Sequence, residues 1–340
     1  MADRDRILVI GGTGFIGRAL VAQLIDRGCD VRVMTRRARG TSDGDGDAGV
    51  RYVQGDVADR ASIARAADGV DVVYDLSLAF GASWDDYART FVLGAENVAA
   101  VVLERGIRRL VYTSTISVLR LGGDGRVDEA AGIDRKPELR CWYARGKILA
   151  EQSLERLHRE RGLPAVILRP GIVVGAGNKL AHPGIGTWLS PTSCAVVGSG
   201  LTPLPLVLVE DVAQALVLAK DAPHVDGRTF NLAGDVRPSA AEYITIVAER
   251  SKRNFRLAPQ SALALQALRT LVWLGKAALG RKDNVWQTWH ELQTIPQSAW
   301  IDCAAAKSLL GWRPVDDHGE FVRRAVDCHL TPLLPGDLRV

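Results

Sequence analysis

A short apolar strand that runs straight into a glycine-rich loop, and from there into a helix, constrains this chain more than any other feature. Ile7 to Ile10 is an unbroken apolar run, GGTGFIG follows at once, and Arg18 to Arg27 carries Leu20, Val21, Leu24 and Ile25 at helical spacing. Gly28 is placed to end that helix. Gly11, Gly14 and Gly17 fall three residues apart. Residues this small let the backbone pass close to a pyrophosphate, and the helix N-terminus adds N–H donors and positive potential. Gly11, Thr13, Gly14, Phe15, Ile16 and Gly17 are therefore candidate contacts of a dinucleotide. A tight turn that binds nothing is the competing reading, and it leaves the coincidence of strand, loop and helix unexplained.

The alternation continues along the first half. Val31 to Met34, Arg51 to Gln54, Val70 to Tyr74, Arg109 to Thr113 and Ala165 to Leu168 read as strands, with helices at Ala61 to Ala67, Asp85 to Glu104 and Tyr143 to Arg161. RRARGTSDGDGDAG, after the second strand, reads as a loop. This pattern predicts an α/β fold, a doubly wound parallel sheet of Rossmann type with right-handed crossovers. Gly and Pro are dense between Gly171 and Pro205, which predicts loops over a cleft. Leu206 to Val209 is expected to return to the sheet as a strand, followed by a helix at Asp211 to Lys220 and a strand at Thr229 to Leu232. From about Pro238 the chain reads as largely helical. The expected division is a dinucleotide-binding domain of residues 1–169, to which 206–235 returns, and a smaller, mostly helical substrate lobe of 170–205 and 236–340.

Trp273, Trp286, Trp289, Trp300 and Trp312 fall in that last stretch and are expected to pack it. Ser261 to Gly280 is amphipathic, with Leu265, Leu268, Leu271 and Val272 near one face. It is expected to pack on the lobe, with peripheral contact to a membrane surface or a partner as the alternative.

Composition removes other classes. Lys and Arg number 43 against 39 Asp and Glu, a net charge of +4, and no basic block is dense enough for a nucleic-acid groove. The five cysteines are scattered without a Cys-x-x-Cys pair, which points to a reducing compartment. His182, His224, His290, His318 and His329 show no ligand spacing, so no metal is expected. MADRDRILVIGG lacks a signal peptide's apolar stretch, and no apolar run reaches the ~18 residues that span a bilayer. A cytoplasmic protein without a transmembrane segment is the expectation. Glu210 and Asp211 read as carboxylates opening a helix, where they favour its dipole.

The end of the second strand bears on nucleotide choice. An NAD enzyme carries an acid there for the ribose hydroxyls, whereas Thr35 stands in that place here, with Arg36 and Arg37 next. A guanidinium binds a 2′-phosphate bidentately. NADP(H) is therefore expected over NAD(H), and two solvated surface arginines are the competing reading. Asp56, in YVQGDV, is placed to accept from an adenine amino group, with Val57 beside it.

Tyr143 and Lys147, in YARGK, lie four residues apart on a predicted helix and so share a face. A phenol with pKa near 10 is a poor acid/base at neutral pH until a nearby cation favours its ionised form. Lys147 can supply that charge and hold a nucleotide ribose. RLVYTSTIS, the strand before it, ends in hydroxyls, of which Ser114 and Thr115 are candidates to hold a substrate oxygen.

GGTGFIG, GDV, DVVYDLS, LVYTST, YARGK, LRPGIVVG, VEDVAQAL and LGWRP follow one another in an order that resembles the extended short-chain dehydrogenase/reductase superfamily, also called the NAD-dependent epimerase/dehydratase family. The resemblance covers nearly the whole chain. It implies Thr115, Tyr143 and Lys147 as the catalytic set, Ser114 nearer the nicotinamide, Leu76 and Ser77 against the ribose, and Pro170 near the nicotinamide. It also implies a homodimer through Asp85 to Glu104 and Tyr143 to Arg161.

Departures from the family narrow the chemistry. Ile116 and Ser117 stand where sugar dehydratases carry an Asp-Glu pair, and neither can expel water. Ile172, Leu204 and Leu208 stand where nucleotide-sugar enzymes carry polar groups, and an apolar wall would desolvate a diphosphate without pairing it. Phe91 replaces an Asn that supports the catalytic lysine through water in many relatives. The expected function is hydride transfer between nicotinamide and one alcohol or ketone carbon of a small molecule, similar to the dihydroflavonol-reductase and hydroxysteroid-dehydrogenase branches. A nucleotide-sugar epimerase with tightly held NAD, and a non-catalytic cofactor sensor or scaffold, are the alternatives.

Overall fold

The computed structural model describes residues 4–36, 49–120, 125–190, 192–280, 288–292 and 299–330. Arg37, most of the loop after the second strand, and Trp286 lie outside them. Seven strands, β1 (Arg6–Ile10), β2 (Asp30–Thr35), β3 (Val50–Gln54), β4 (Val72–Asp75), β5 (Arg109–Thr113), β6 (Ala165–Pro170) and β7 (Thr229–Leu232), form one sheet in the order 7-6-5-4-1-2-3. Every pairing in it is parallel.

Side chains alternate across this sheet, and each face meets its own layer. Ile7, Val9, Val31, Val33, Val72 and Val111 pack with Leu20 and Leu24 of α1 (Phe15–Asp26). The same layer holds Val212 and Leu216 of a later helix, Val209–Asp221. Leu8, Ile10, Val73, Leu110 and Tyr112 turn to the other layer, with Ile63 of α2 (Arg60–Ala66), Val98 and Val102 of α3 (Gly94–Arg105) and Leu154 of α4 (Trp142–Arg161). Numbered in order, Val209–Asp221 is α5, followed by α6 (Ala240–Ser251) and α7 (Ala262–Ala278). Full burial of each such aliphatic side chain is worth about 1.5–3 kcal/mol, so the two layers fix the register and the doubly wound arrangement together.

β1 connects to β2 on one side, while β4 lies on the other, so the sheet's direction of growth reverses between β1 and β4. A crevice opens at the carboxyl ends of strands at such a point.

The rest departs from expectation in several places. Leu206–Leu208 does not rejoin the main sheet; it pairs with Ile172–Val174 in a separate two-stranded ladder. The chain turns away at Gly171, where a Cβ would lie 2.1 Å from Pro205 O, so the two backbones meet too closely for a side chain. The Gly- and Pro-rich stretch contains regular structure, since Thr187–Ser190 and Ser193–Val197 join Arg256–Gln260 in a three-stranded sheet. Residues 299–312, expected in the substrate lobe, pack instead into the first layer of the main sheet through Ala299, Ile301, Ala306, Leu310 and Trp312.

Of the tryptophans expected to pack, Trp312 is fully buried, whereas Trp289 and Trp300 are 42% and 45% exposed. Trp312 Nε1 donates to Asp211 O at 2.8 Å, and the Val315 N–H donates to the Asp211 carboxylate at 3.1 Å. Asp211 therefore stands in the first turn of α5 but ties down the WRP segment rather than only facing the helix dipole. Burial pushes its carboxyl up to about 6, against the opposing Val315 hydrogen bond. On α7, Leu265 is buried, whereas Leu263, Leu271, Val272 and Leu274 are exposed. No helix among the described residues is long and apolar enough to cross a membrane.

Candidate active site

The loop after β1 is shaped by contacts that only glycine tolerates. Gly11 has φ +80°, and a Cβ there would lie 2.5 Å from Leu76 O in the loop after β4. A Cβ at Gly17 would lie 2.2 Å from Gly11 O, so α1 packs directly on the loop that precedes it. α1 has no side-chain N-cap and no acid in its first turn. Its opening N–H groups and the positive end of its dipole therefore face the crevice uncompensated.

One cavity of about 600 Å³ joins this loop to the catalytic candidates. Gly11, Gly14, Phe15, Ile16, Gly17, Leu76, Ser77, Ser114, Thr115, Tyr143 and Lys147 all line it. Thr13, Arg36, Asp56, Val57 and Pro170 do not. Arg36 is exposed at the end of β2. Asp56 Oδ1 accepts from the Ala58 N–H at 2.9 Å, and Val57 is buried with its carbonyl taken by Asn97. Pro170 is buried at the end of β6, and its neighbours Gly171 and Ile172 reach the cavity instead. Of the three apolar replacements, Ile172 lines the cavity, while all three belong to the upper-lobe core.

Thr115 lies two residues past the end of β5 and caps the short helical turn Ile116–Val118, its oxygen accepting from the Ser117 N–H at 3.1 Å. That leaves the hydroxyl hydrogen to donate across the cavity. Burial raises the Tyr143 phenol above its usual range, and the nearby Thr115 hydroxyl partly lowers it. The causes acting on that phenol are burial, the Thr115 hydroxyl and Cys141. The Lys147 ammonium turns to β5, donating to Thr113 O at 2.8 Å and the Tyr112 hydroxyl at 3.2 Å.

Lys147 is nevertheless unusual. It is 3% exposed, and burial pushes its ammonium down to about 8, opposed by Asp75 and Glu151. Two rings face the charge, with Nζ 4.6 Å from the centroids of Phe91 and of Tyr112. Phe91 sits in a π-helical turn, Ala88–Leu93, within the long helix that leads into α3. Such turns recur at functional sites because they push a side chain out of helical register. The Phe91 ring is edge-on to Tyr143 at 5.7 Å and fills the space left by Gly146, where a Cβ would meet it at 2.7 Å. The residue noted for lacking an amide thus supports both catalytic candidates by ring contact.

Charged residues that the motifs did not single out complete the surroundings. Asp75 is fully buried at the end of β4, in the DVVYDLS motif. Glu151 follows Lys147 by four residues and holds Arg169 of β6, with Oε2 2.5 Å from Nη2 and both groups buried. Tyr143, Lys147 and Glu151 recur at a spacing of four, a signal that the sequence carried. On the lobe side, Arg140 Nη1 donates to Asp134 Oδ2 at 2.9 Å and its Nε to Glu291 Oε2 at 2.7 Å. Glu291 Oε2 also accepts the Cys141 N–H at 3.0 Å, so Glu291 holds the start of α4.

The donor set fits a nicotinamide dinucleotide. Asp75 Oδ2, Ser77 Oγ, Thr113 Oγ1 and Ser114 Oγ are buried without a hydrogen-bond partner among the described residues. A buried polar atom left that way costs about 1–3 kcal/mol. The three hydroxyls line the cavity between the glycine loop and Tyr143, where the hydroxyl- and amide-rich half of such a molecule would satisfy them.

The model of the NAD dependent epimerase/dehydratase family matches residues 7–233. A 2-alkyl-3-oxoalkanoate reductase of Stenotrophomonas maltophilia is 33% identical over 222 residues, which are 64% of this chain and 66% of that protein's length. A 4-hydroxy-2-methyl-3-oxo-4-farnesyl-3,4-dihydroquinoline-1-oxide ketoreductase of Stigmatella aurantiaca is 26% identical over 94% of this chain and 90% of its own. Among solved structures, UDP-glucose 4-epimerase of Thermotoga maritima superposes with a TM-score of 0.72 at 20% identity, over 97% of this chain and all of that one. That last likeness is one of fold.

Proposed function

The chain belongs to the NAD-dependent epimerase/dehydratase family and is an NAD(P)-dependent enzyme of the extended short-chain dehydrogenase/reductase type, and from that premise we propose that it reduces a ketone, or oxidises the matching alcohol, on a largely aliphatic small molecule. The observation that carries this is the meeting, in one cavity at the sheet's switch point, of the glycine loop with Thr115, Tyr143 and Lys147. Two relatives named as ketone reductases support it.

When bound, the nicotinamide supplies or accepts the hydride. The N-terminus of α1 and Gly11 to Gly17 would hold its pyrophosphate, and Ser77 and Lys147 its ribose. Thr115 and Tyr143 would both hydrogen-bond the substrate oxygen. A phenol held above its usual pKa is neutral at pH 7 and can donate, so Tyr143 protonates the oxygen as the carbonyl carbon is reduced. The reverse oxidation needs the phenolate and should speed up as pH rises.

Lys147 sets a limit on the alkaline side. A lysine held at about 8 is charged at pH 7 and neutral above its pKa. The expected result is a kcat/KM for the nucleotide that is level below pH 8 and falls about tenfold per pH unit above it. A profile level to pH 10 would show that the ammonium is not required.

We read the nucleotide as NADP(H), since β2 ends in Thr35 and Arg36 with no acid in place. Fluorescence titration of both reduced nucleotides, followed by turnover of aliphatic ketones, tests cofactor and reaction together. NADPH should bind at least tenfold more tightly. Tighter NADH binding would reverse that preference, and absence of ketone turnover with either nucleotide would sink the reaction. Asp85 to Glu104 and Tyr143 to Arg161 are the expected dimer surface, which sedimentation of the purified protein would check.

A further inference from the structure

Helix α7 is oriented against its own chemistry. An amphipathic helix ordinarily buries its leucines and leaves its arginine in water. Here Leu263, Leu271, Val272 and Leu274 are exposed, while Arg269 lines the catalytic cavity, one turn after Leu265, which lines it as well. Arg269 forms no hydrogen bond or ion pair with any described residue. The charge that acts on it is Glu291, whose Oε2 is already shared by Arg140 Nε and the Cys141 N–H. Partial burial lowers the guanidinium's pKa and Glu291, a carboxylate already in use, raises it.

The other cations on the cavity wall are committed. Arg140 is held by Asp134, Glu291 and two carbonyls, and Lys147 by Thr113 O and Tyr112. The cavity that Arg269 lines also has Ile172, Ile185, Val197, Pro205 and Leu265 on its wall, with Asn178, His182, Thr187 and Glu291 as its polar lining there. A lone guanidinium in such a setting suits a single negative charge on a hydrocarbon body, whereas a diphosphate would need further cations. Through Glu291 and Cys141 it also sits within electrostatic reach of the N-terminal end of α4, two residues before Tyr143.

We propose that Arg269 binds a carboxylate on the substrate, which makes the substrate an aliphatic oxo or hydroxy acid with its acid group a few bonds from the reacting carbon. This rests on the oxidoreductase reading above and deepens it. The probes are 3-hydroxyoctanoate and its methyl ester, assayed for oxidation with NADP⁺, together with octanoate and octanamide as non-reacting ligands of the nucleotide-loaded protein. Each is measured on the native chain, on Arg269→Gln and on Arg269→Lys.

In the native chain the acid should exceed the ester in kcat/KM by about 10- to 100-fold, the range of a charge-assisted hydrogen bond. Arg269→Gln should bring that ratio close to one, mainly through KM, and abolish the preference for octanoate over octanamide. Arg269→Lys, which keeps the charge without the fork, should fall between. Equal use of acid and ester by the native chain, or equal losses on both in Arg269→Gln, would overturn the proposal. If octanoate binding depends on Arg269 but neither alcohol is oxidised, the carboxylate site stands and the oxidoreductase reading fails.

Discussion

Tyr143→Phe is expected to lower kcat by about 10²–10⁴-fold while nucleotide affinity stays within about threefold. The ring remains, and with it the edge-on contact to Phe91 at 5.7 Å. What is lost is the phenol hydroxyl, the group proposed to protonate the substrate oxygen. Because burial keeps the phenol neutral, its removal leaves no charge stranded, and the fold should melt at its original temperature. The check is single-turnover reduction in parallel with nucleotide titration. Reduction that survives undiminished would remove Tyr143 from the proton path, and loss of nucleotide binding would make its role one of shape.

The second large effect concerns stability. Glu151→Leu is expected to destabilise the protein by about 3–5 kcal/mol, a fall in melting temperature of roughly 5–15 °C. Glu151 is fully buried and Arg169 is 2% exposed, and the substitution leaves that guanidinium without its counter-charge. Arg169 Nη1 already has no hydrogen-bond partner, so nothing nearby can take up the slack. Replacing both partners, Glu151→Leu with Arg169→Met, should recover most of the loss, because the cost lies in an unpaired buried charge. A single variant that loses less than about 1 kcal/mol would mean that water reaches Arg169. The same substitution has a catalytic signature. Glu151 helps keep Lys147 charged, so its removal should move the alkaline limb of the nucleotide profile to lower pH.

Much of this could be read from the chain because the informative contacts are local. Strand, GGTGFIG and helix are consecutive, and the crowding at Gly11 and Gly17 follows from that sequence of elements. Tyr143 and Lys147 lie one turn apart on a single helix, and β5 delivers Ser114 and Thr115 just past its end. The upper lobe was less legible because its pairings span long stretches of chain. Ser193–Val197 finds its partner at Arg256–Gln260, about sixty residues on, so a run dense in glycine and proline gave no local sign of a strand. Ala299, Ile301 and Trp312 return to the first domain's core for the same reason.

The electrostatics were hidden differently. YARGK suggests an ammonium aimed at a phenol, but where Lys147 points is decided by Thr113 O and Tyr112, which belong to another element. Asp75 acts on Lys147 from the end of β4, and Glu291 acts on Arg269 from the last part of the chain, relations that no local motif announces. Phe91 illustrates the limit of comparison by position. Its meaning lay in the ring it brings against Lys147 and the gap it fills over Gly146, and a missing amide says nothing of either.

Transfer of isotope tests the central claim most directly. A ketone reduced in the presence of 4-deuterated NADPH, of either face, should yield an alcohol with deuterium on the carbinol carbon from one face only, with a primary isotope effect in single turnover. The opposite finding would be a protein that keeps its own nicotinamide nucleotide through purification, interconverts sugar epimers, and places none of the added label in product.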